Sequence, residues 1–250
     1  IFGTQECFIH QLKDMKEALP GYDYIGVGRD DGKEKGEHSA IFYRTDKFDV
    51  IEKGDFWLSE TPDVPSKGWD AVLPRICSWG HFKCKDTGFE FLFFNLHMDH
   101  IGKKARVESA FLVQDKMKEL GKGKELPAIL TGDFNVDQTH QSYDAFVSKG
   151  VLCDSYEKAG FRYAINGTFN DFDPNSFTES RIDHIFVSPS FQVKRYGVLT
   201  DTYRSIVGKG EKKQANDCPE EIDIKTYQAR TPSDHFPVKV ELEFDQRQQK

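Results

Sequence analysis

Apolar residues recur at helical spacing near the start of the chain. Phe8, Leu12, Met15 and Leu19 follow this spacing and are stopped by Pro20-Gly21, which predicts a first helix. Residues 105–120 repeat the pattern and predict a second, longer helix. The positions placed near one face of this second helix are Val107, Ala110, Phe111, Met117 and Leu120. A third, shorter helix is predicted over residues 143–149.

Six apolar segments, several of them bounded by Gly, Asp or Pro, predict strands. They are SAIFYR (39–44), GHFKC (80–84), FEFLFFNLHM (89–98), AILTGDF (128–134), RIDHIFVS (181–188) and FPVKVELEF (236–244). The KDTG stretch between the second and third segments predicts a hairpin turn. The opening IFGTQE resembles the end of a strand that runs into a turn. The 21 Phe are spread through these segments, which favours a strand-rich interior over a helical bundle.

Composition narrows the class of protein. A chain of 250 residues with 38% hydrophobic content supports one sizeable core, and no linker divides it, so we expect a single domain over residues 1–250. No apolar run is long enough to cross a membrane. The net charge of −7 disfavours a broad surface for nucleic acid. Five cysteines without CxxC spacing predict reduced thiols. We expect a soluble monomer, in the cytoplasm rather than secreted, with secretion as the alternative if a signal peptide precedes Ile1.

Three polar or aromatic regions are open to two interpretations each. The polar segment 200–232 is predicted to be a surface excursion or a lid. The glycine-rich stretch 26–37 lacks the GxxxxGK[ST] pattern and is either a solvated loop or a border of the substrate cleft through Tyr24 or Arg29. Trp57 and Trp69 either stack on a substrate or pack at a rim.

Five short sequences carry groups that bind metals or move protons: TQE, NLHMD, GDFN, RIDH and SDH. Each alone has a simpler explanation, such as a turn cap at Asp133 or a core histidine at His97. Together they place carboxylates at predicted strand ends, where they can converge on one edge of a layered sheet. These carboxylates are Glu6, Asp133, Asp183 and Asp234. Oxygen ligands of this kind suit Mg²⁺, Mn²⁺ or Ca²⁺, and the histidines at 97 and 235 titrate near neutrality. Such a set fits a phosphoester hydrolase.

The order of the motifs resembles that of the endonuclease/exonuclease/phosphatase superfamily, as a bacterial-type member, over nearly the whole chain. The matching motifs are TQE (4–6), GE (36–37), PRI (74–76), NLH (95–97), GDFN (132–135), GTF (167–169), RIDHIFV (181–187) and SDHFPV (233–238). The resemblance implies an α/β (α+β) fold of the deoxyribonuclease I type. In this four-layer sandwich, two packed mixed β-sheets are flanked by helices. It also implies a first strand before Glu6 that this sequence lacks.

The resemblance also implies roles for particular residues. Catalysis would fall to His97, Asp133, Asn135, Asp183 and His235. Metal binding would fall to Glu6 and Asp234. Contact with the substrate phosphate, or orientation of the catalytic groups, would fall to Glu37, Arg75, Asn95 and Thr168. In this scheme Asp133 activates water, Asp183 pairs with His235, and Glu37 orients His97.

Two functions of different class follow from these residues. The first is a phosphoesterase that depends on Mg²⁺, Mn²⁺ or Ca²⁺ and hydrolyses phosphodiesters or phosphomonoesters, with a nuclease included. Its substrate is a nucleic acid, a sugar or inositol phosphate, or a phospholipid headgroup. The second is a catalytically inactive binding or scaffold protein with the same fold. Such a protein is expected to have lost at least one of the catalytic residues, and none is lost here.

Overall fold

The computed structural model describes residues 1–121, 126–207, 212–213, 219, 224–225 and 227–244. In chain order, the helices and strands are β1 (Phe2–Gly3), α1 (Ile9–Ala18), β2 (Tyr22–Ile25), β3 (Ile41–Arg44), β4 (Phe48–Trp57), β5 (Ile76–Cys84), β6 (Glu90–His97), α2 (Lys103–Leu120), β7 (Ala128–Asp133), α3 (Gln141–Val147), β8 (Cys153–Asp154), α4 (Ser155–Lys158), β9 (Phe161–Tyr163), β10 (Asp183–Val187), β11 (Phe191–Val198), β12 (Tyr203–Ile206), β13 (Lys212–Lys213), β14 (Ile224–Lys225), β15 (Tyr227–Arg230) and β16 (Val238–Phe244).

A six-stranded sheet in the order β4-β5-β6-β7-β10-β8 forms the centre of the molecule. Strands β6 and β7 are parallel and their other neighbours are antiparallel, so the sheet is mixed. Both faces of β6 are covered, which explains why its sequence is a nearly continuous apolar run instead of an alternating one. Helices α2 and α3 pack on one face through a core that includes Phe94, Val113 and Phe146.

The other face of the central sheet packs against two three-stranded sheets, β1-β3-β2 and β16-β11-β9. Their shared core includes Ile41, Phe93 and Val193. Helix α1 covers the outside of the first of these sheets through Leu12 and Phe42. The predicted fold class, with mixed sheets packed face to face and helices outside, is confirmed.

A cavity of about 860 Å³ lies in the inner layer. Residues from β1, β16 and the central sheet line it, among them Phe2, Val240 and Ile129. It extends to the edge of the sheet at Asp183 and His235. The prediction of a single domain with a further first strand stays a prediction.

All six predicted strands and the three predicted helices are confirmed, with boundaries shifted by a few residues. Two long strands, β4 and β11, escaped the sequence analysis. Strand β4 carries polar residues through its middle because it lies at the edge of its sheet, and β11 has a register shift between Val193 and Arg195 that interrupts its alternation. The placement of Phe111 on the buried face of α2 was wrong. Its ring is 36% exposed, 4.7 Å from the Lys149 ammonium.

The polar segment 200–232 is described in part. Strands β12 and β15 near its ends pair antiparallel, with Tyr203 opposite Arg230. Residues 208–211, 214–218, 220–223 and 226 lie outside the described residues, and the lid role stays a prediction. Four of the five cysteines are described and all four are free thiols, as predicted. No helix within the described ranges has the length and apolarity to cross a membrane.

Candidate active site

Three of the predicted catalytic residues lie side by side at one edge of the central sheet. His97 and Asp133 are the last residues of β6 and β7, and Asp183 is the first residue of β10. His97 is paired with Asp133 in the parallel ladder, and Asp133 with Asp183 in the antiparallel ladder. Because parallel strands end at the same edge and an antiparallel strand begins there, the strand order itself assembles these three side chains.

His235 joins this edge from the loop before β16. Its Nδ1 lies 2.8 Å from Oδ2 of Asp183, and its backbone forms an isolated bridge with Phe169. Burial disfavours charge on the imidazole, but the hydrogen bond and charge of Asp183, with Asp133 and Asp234, outweigh it and raise the pKa of His235 to about 9. His235 is therefore an imidazolium at neutral pH.

His97 and Asp133 form a second pair, with His97 Nε2 3.3 Å from Asp133 Oδ2. Burial, together with the positive charges of Arg75 and Arg29, lowers the pKa of His97 well below its usual value, so the ring is neutral. Burial and the negative charge of Asp183 raise the pKa of Asp133 to about 7. A neutral imidazole thus lies beside a carboxyl group that exchanges its proton near neutral pH.

Glu6, Glu37 and His97 form a cluster that has the donor atoms for a metal ion. One ligand atom from each lies within 4.8 Å of the others, and no other such group of three occurs among the described residues. His97 Nε2 lies 3.9 Å from Glu6 Oε1, and His97 Nδ1 lies 3.9 Å from Glu37 Oε2. The sequence prediction paired Glu6 with Asp234. The structure places Asp234 close enough to raise the pKa of Glu6, but outside the cluster.

The donor set fits a divalent cation. Two carboxylates and a neutral imidazole supply negative charge and a free lone pair. Burial raises the pKa of Glu6, and the negative charges of Glu37 and Asp234 raise it further. This electrostatic repulsion is what a bound cation would relieve. Glu6 also has a left-handed backbone with φ of 62°, a conformation that costs energy for a residue with a side chain.

Replacing Glu6 with glutamine is expected to weaken Mn²⁺ binding by about tenfold or more, because ligand charge sets the affinity of such sites. Isothermal titration calorimetry with Mn²⁺ measures the change directly. Glu34→Gln is the matched control, since Glu34 is an exposed residue of the adjacent loop and pairs with Lys13 instead. Equal Mn²⁺ affinity in the wild-type protein and Glu6→Gln would place the cation elsewhere.

Arg75 lies beside the cluster of Glu6, Glu37 and His97 and has a hydrogen-bond donor without a partner among the described residues. Its Nε donates to Asp99 Oδ2 at 3.4 Å and its Nη2 donates to Nδ1 of His100 at 2.9 Å. Its Nη1 is buried and has no hydrogen-bond partner among the described residues. The pocket that Arg75 lines also includes Glu6, Glu37 and His97. A buried guanidinium held on two sides, with one nitrogen free, is suited to bind an anionic oxygen.

Asn95 lies at the base of the site, where its side-chain amide is fully used within the protein. It donates to the backbone oxygens of Thr4 and Ala40, and accepts from Gln5 Nε2 at 2.7 Å and from Thr131 Oγ1 at 2.9 Å. A β-carbon on Gly3 would lie 2.2 Å from Asn95 Oδ1, so the close approach of β1 requires glycine. Asn95 thus fixes the segment that carries Glu6.

Thr168 and Asn135 also make internal hydrogen bonds. Thr168 Oγ1 accepts from the backbone nitrogens of Ile182 and Asp183, at 2.9 and 3.0 Å. Asn135 donates from Nδ2 to the Met98 oxygen, and its own backbone nitrogen donates to Asp133 Oδ1 at 2.8 Å. The two residues therefore hold the carboxylates at 183 and 133 in place.

Glu37 does not contact His97 closely, because its carboxylate is held by Arg29. The Arg29 guanidinium donates twice to Glu37, at 2.6 and 2.9 Å, and the Arg29 oxygen accepts from the buried indole nitrogen of Trp57. Arg29 and Glu37 of loop 26–37 line the small pocket that also includes Glu6 and His97, and the role of the loop as a border of the substrate cleft stays a prediction. Trp57 supports the loop from inside instead of stacking on substrate.

Sequence reasoning omitted Asp99 and His100, which hold Arg75. The signal was their position directly after NLHM, where the chain leaves β6. Asp99 Oδ1 also accepts from the Gly102 nitrogen at the start of α2, so it links Arg75 to this helix.

Comparison with known proteins places these residues in a family. The model of the Endonuclease/Exonuclease/phosphatase family matches residues 1–235. Among curated proteins, the uncharacterized protein L388 of Acanthamoeba polyphaga mimivirus is 31% identical over 96% of this chain and 84% of its own length.

Solved structures agree with that match. A mannosyl-6-phosphatase of Bacteroides thetaiotaomicron is 85% identical, with a TM-score of 0.89 over 97% of this chain and 85% of that chain. A family protein from Bacteroides vulgatus is 38% identical, with a TM-score of 0.80 over 97% of this chain and 84% of that one. A D. rerio TDP2 humanized by 14 mutations, at 15% identity and a TM-score of 0.64 over 96% of this chain and 83% of that one, shares the fold.

Proposed function

Because the chain belongs to the endonuclease/exonuclease/phosphatase family, whose members are hydrolases of phosphoester bonds, we propose that it is a phosphomonoesterase that depends on a divalent metal. Its substrate is a sugar phosphate of the mannosyl 6-phosphate class. The products are the free sugar hydroxyl and inorganic phosphate.

The observation that supports this reaction best is the pairing of charges at the sheet edge. The imidazolium of His235 is held by Asp183, and Asp133 lies between Asp183 and the neutral His97. Hydrolysis of a phosphoester needs a group that accepts a proton from water and cations that neutralise the phosphoryl oxygens. This edge has both, because the imidazolium of His235 bonds to Asp183, the ladder partner of Asp133.

Asp133 accepts the proton of the attacking water. Its pKa, raised by burial and by Asp183 to about 7, matches proton transfer at neutral pH. The hydrogen bond from the Asn135 nitrogen fixes the orientation of the carboxyl group, and the neutral ring of His97 lies on its other oxygen. Water oxygen then bonds to phosphorus as the bond from phosphorus to the sugar oxygen breaks. The departing sugar oxygen takes a proton from solvent water to become the hydroxyl, and Asp133 returns its proton to solvent.

His235 and Arg75 bind the phosphoryl oxygens. Asp183 occupies Nδ1 of His235, so the Nε2–H is the donor that remains for the substrate. Arg75 lines the adjoining pocket, and its buried Nη1, which has no partner among the described residues, is the second donor we assign to the phosphoryl oxygens. A divalent cation bound by Glu6, Glu37 and His97 would add positive charge against the same oxygens.

The substrate class is supported by the similar protein named a mannosyl-6-phosphatase, since 85% identity over 97% of this chain leaves little room for a different pocket. The net charge of −7 points the same way, because proteins that bind long nucleic acids neutralise phosphates with Lys and Arg. An inactive scaffold would be under no constraint to keep the full set of paired acids and histidines.

Hydrolysis with Mg²⁺ or Mn²⁺ tests the proposal. The measured products are inorganic phosphate from mannose 6-phosphate, the free phenol from a bis-aryl phosphodiester and shortened fragments from single-stranded DNA. The three substrates are compared at equal concentration, with and without EDTA. We expect phosphate from mannose 6-phosphate alone, and only in the absence of EDTA. Preferential cleavage of the diester or the DNA would make the protein a phosphodiesterase, and hydrolysis of none of the three would favour the scaffold.

A further inference from the structure

The loop that follows Thr168 holds an exposed phenylalanine in a strained conformation. Asp171 and Phe172 are consecutive residues with left-handed φ angles of 52° and 57°. Glycine adopts this conformation freely, whereas a bulky residue such as phenylalanine rarely does. The Phe172 side chain is nevertheless 62% exposed, so burial in the core does not repay the strain. An exposed apolar ring on a strained turn points to a ligand.

Hydrogen bonds tie this turn to the catalytic loop. The backbone nitrogens of Asn170 and Asp171 both donate to the oxygen of Asp234, at 2.7 and 3.2 Å. The Phe172 nitrogen donates to Asn170 Oδ1 at 2.9 Å, and Asn170 is 1% exposed. The position of Phe172 is therefore fixed relative to Asp234, the residue before His235.

The ring of Phe169, in the same loop, packs edge-on against the His235 ring with centroids 5.1 Å apart. Phe169 therefore lies directly against the imidazolium, and Phe172 follows three residues later in the same loop. Both rings are exposed. A phosphate bound at His235 would have its organic group beside this surface of exposed rings.

We propose that Phe172 is a specificity residue, whose exposed ring packs against the apolar C–H face of the sugar that carries the phosphate. The inference rests on the proposed function and deepens it. A pyranose has a face of C–H bonds and a rim of hydroxyl groups. The aromatic ring covers the face. The exposed chain neighbours Asp171 and Asp173 carry carboxylates that can accept from the hydroxyls, although Asp173 Oδ1 already accepts from Asn175.

The test compares Phe172→Ala with wild type on two phosphomonoesters, mannose 6-phosphate and glycerol 3-phosphate, which has no ring. Stacking on an aromatic side chain changes affinity by about tenfold, as it does for nucleic-acid bases. We expect KM for mannose 6-phosphate to rise by this factor with kcat retained. The ratio of kcat/KM for mannose 6-phosphate to that for glycerol 3-phosphate falls accordingly. Phe172→Trp keeps a flat ring and restores the ratio.

Phe177→Ala is the matched control, because Phe177 lies in the same loop and is 71% exposed but has no part in the proposed surface. An equal loss on both substrates in Phe172→Ala would overturn the inference, since it indicates damage to the catalytic loop. An unchanged KM for mannose 6-phosphate would overturn it as well. Either result leaves the proposed function standing as long as the wild-type protein hydrolyses mannose 6-phosphate. A wild-type protein that fails to do so refutes the proposed function itself.

Discussion

Replacing Asp133 with asparagine is expected to lower kcat/KM for a phosphomonoester by about 10²–10⁴-fold, the usual effect of removing a positioned base. The variant keeps the shape of the side chain and the hydrogen bond from the Asn135 nitrogen, but it cannot take a proton from water. Phosphate release under steady-state conditions with saturating Mg²⁺ measures the loss.

The same variant is expected to be at least as stable as the wild type at pH 8. Burial and the negative charge of Asp183 raise the pKa of Asp133 from 3.8 to about 7. The fold therefore loses stability as the pH rises from about 4 to about 7, and the full cost is present at pH 8. Asparagine removes this cost, and the melting temperature should stay equal or rise. Asp49→Asn on exposed β4 is the control and should change neither quantity. A fall in both activity and melting temperature would indicate a structural role for Asp133.

Removing the positive charge of His235 is expected to produce the second large effect. His235→Gln should lower kcat/KM by about 10²–10³-fold, since it removes a charged donor to the phosphoryl oxygens. In the wild type, kcat/KM should fall as the pH rises through about 9, because burial lowers the pKa of His235 but Asp183 and the neighbouring carboxylates raise it more strongly.

The Asp183→Asn variant tests whether the charge of Asp183 sets the pH at which activity is lost. Without the negative charge, the pKa of His235 falls toward its usual value of about 6.5, so the alkaline loss of activity should begin at lower pH. The measurement is the pH profile of kcat/KM in the wild type, Asp183→Asn and His235→Gln. An alkaline limb that stays at the same pH in Asp183→Asn would show that a group other than His235 controls it.

The sequence could predict that His97, Asp133 and Asp183 meet at one sheet edge because they lie at the ends of strands with strong apolar patterns. His97, Asp133 and Asp183 each adjoin a run such as FEFLFF or IFV, and the pairing of neighbouring strands then brings them together. The order of the strands along the chain and their apolar sequences were enough to predict that these three residues lie close together.

The metal cluster was harder to predict because it depends on a loop. Glu37 comes from a charged, glycine-rich stretch without helical or strand periodicity, and its position is set by Arg29 and by the indole of Trp57. The bond between Arg29 and Glu37 spans eight positions of the chain, and the bond between Trp57 and Arg29 spans 28. Strand periodicity could not reveal these bonds. It also could not show that the Asn95 amide is used to hold the segment that carries Glu6.

Buried polar side chains also limited the prediction of α2. Arg106 and Gln114 lie on the buried face of the helix because they bond to backbone oxygens of Asp99 and Ala145. A prediction from apolar spacing places such polar residues on the surface. It made the opposite mistake with Phe111, which it placed with the apolar face although the residue is exposed.

The location of the metal and the phosphate tests the central claim most directly. Crystals grown with Mn²⁺ and inorganic phosphate, measured at the manganese absorption edge, reveal the ion without ambiguity. The account predicts an anomalous peak among Glu6, Glu37 and His97, with the phosphate bound between Arg75 and His235. An anomalous peak away from this cluster, or a phosphate that contacts neither Arg75 nor His235, would contradict it.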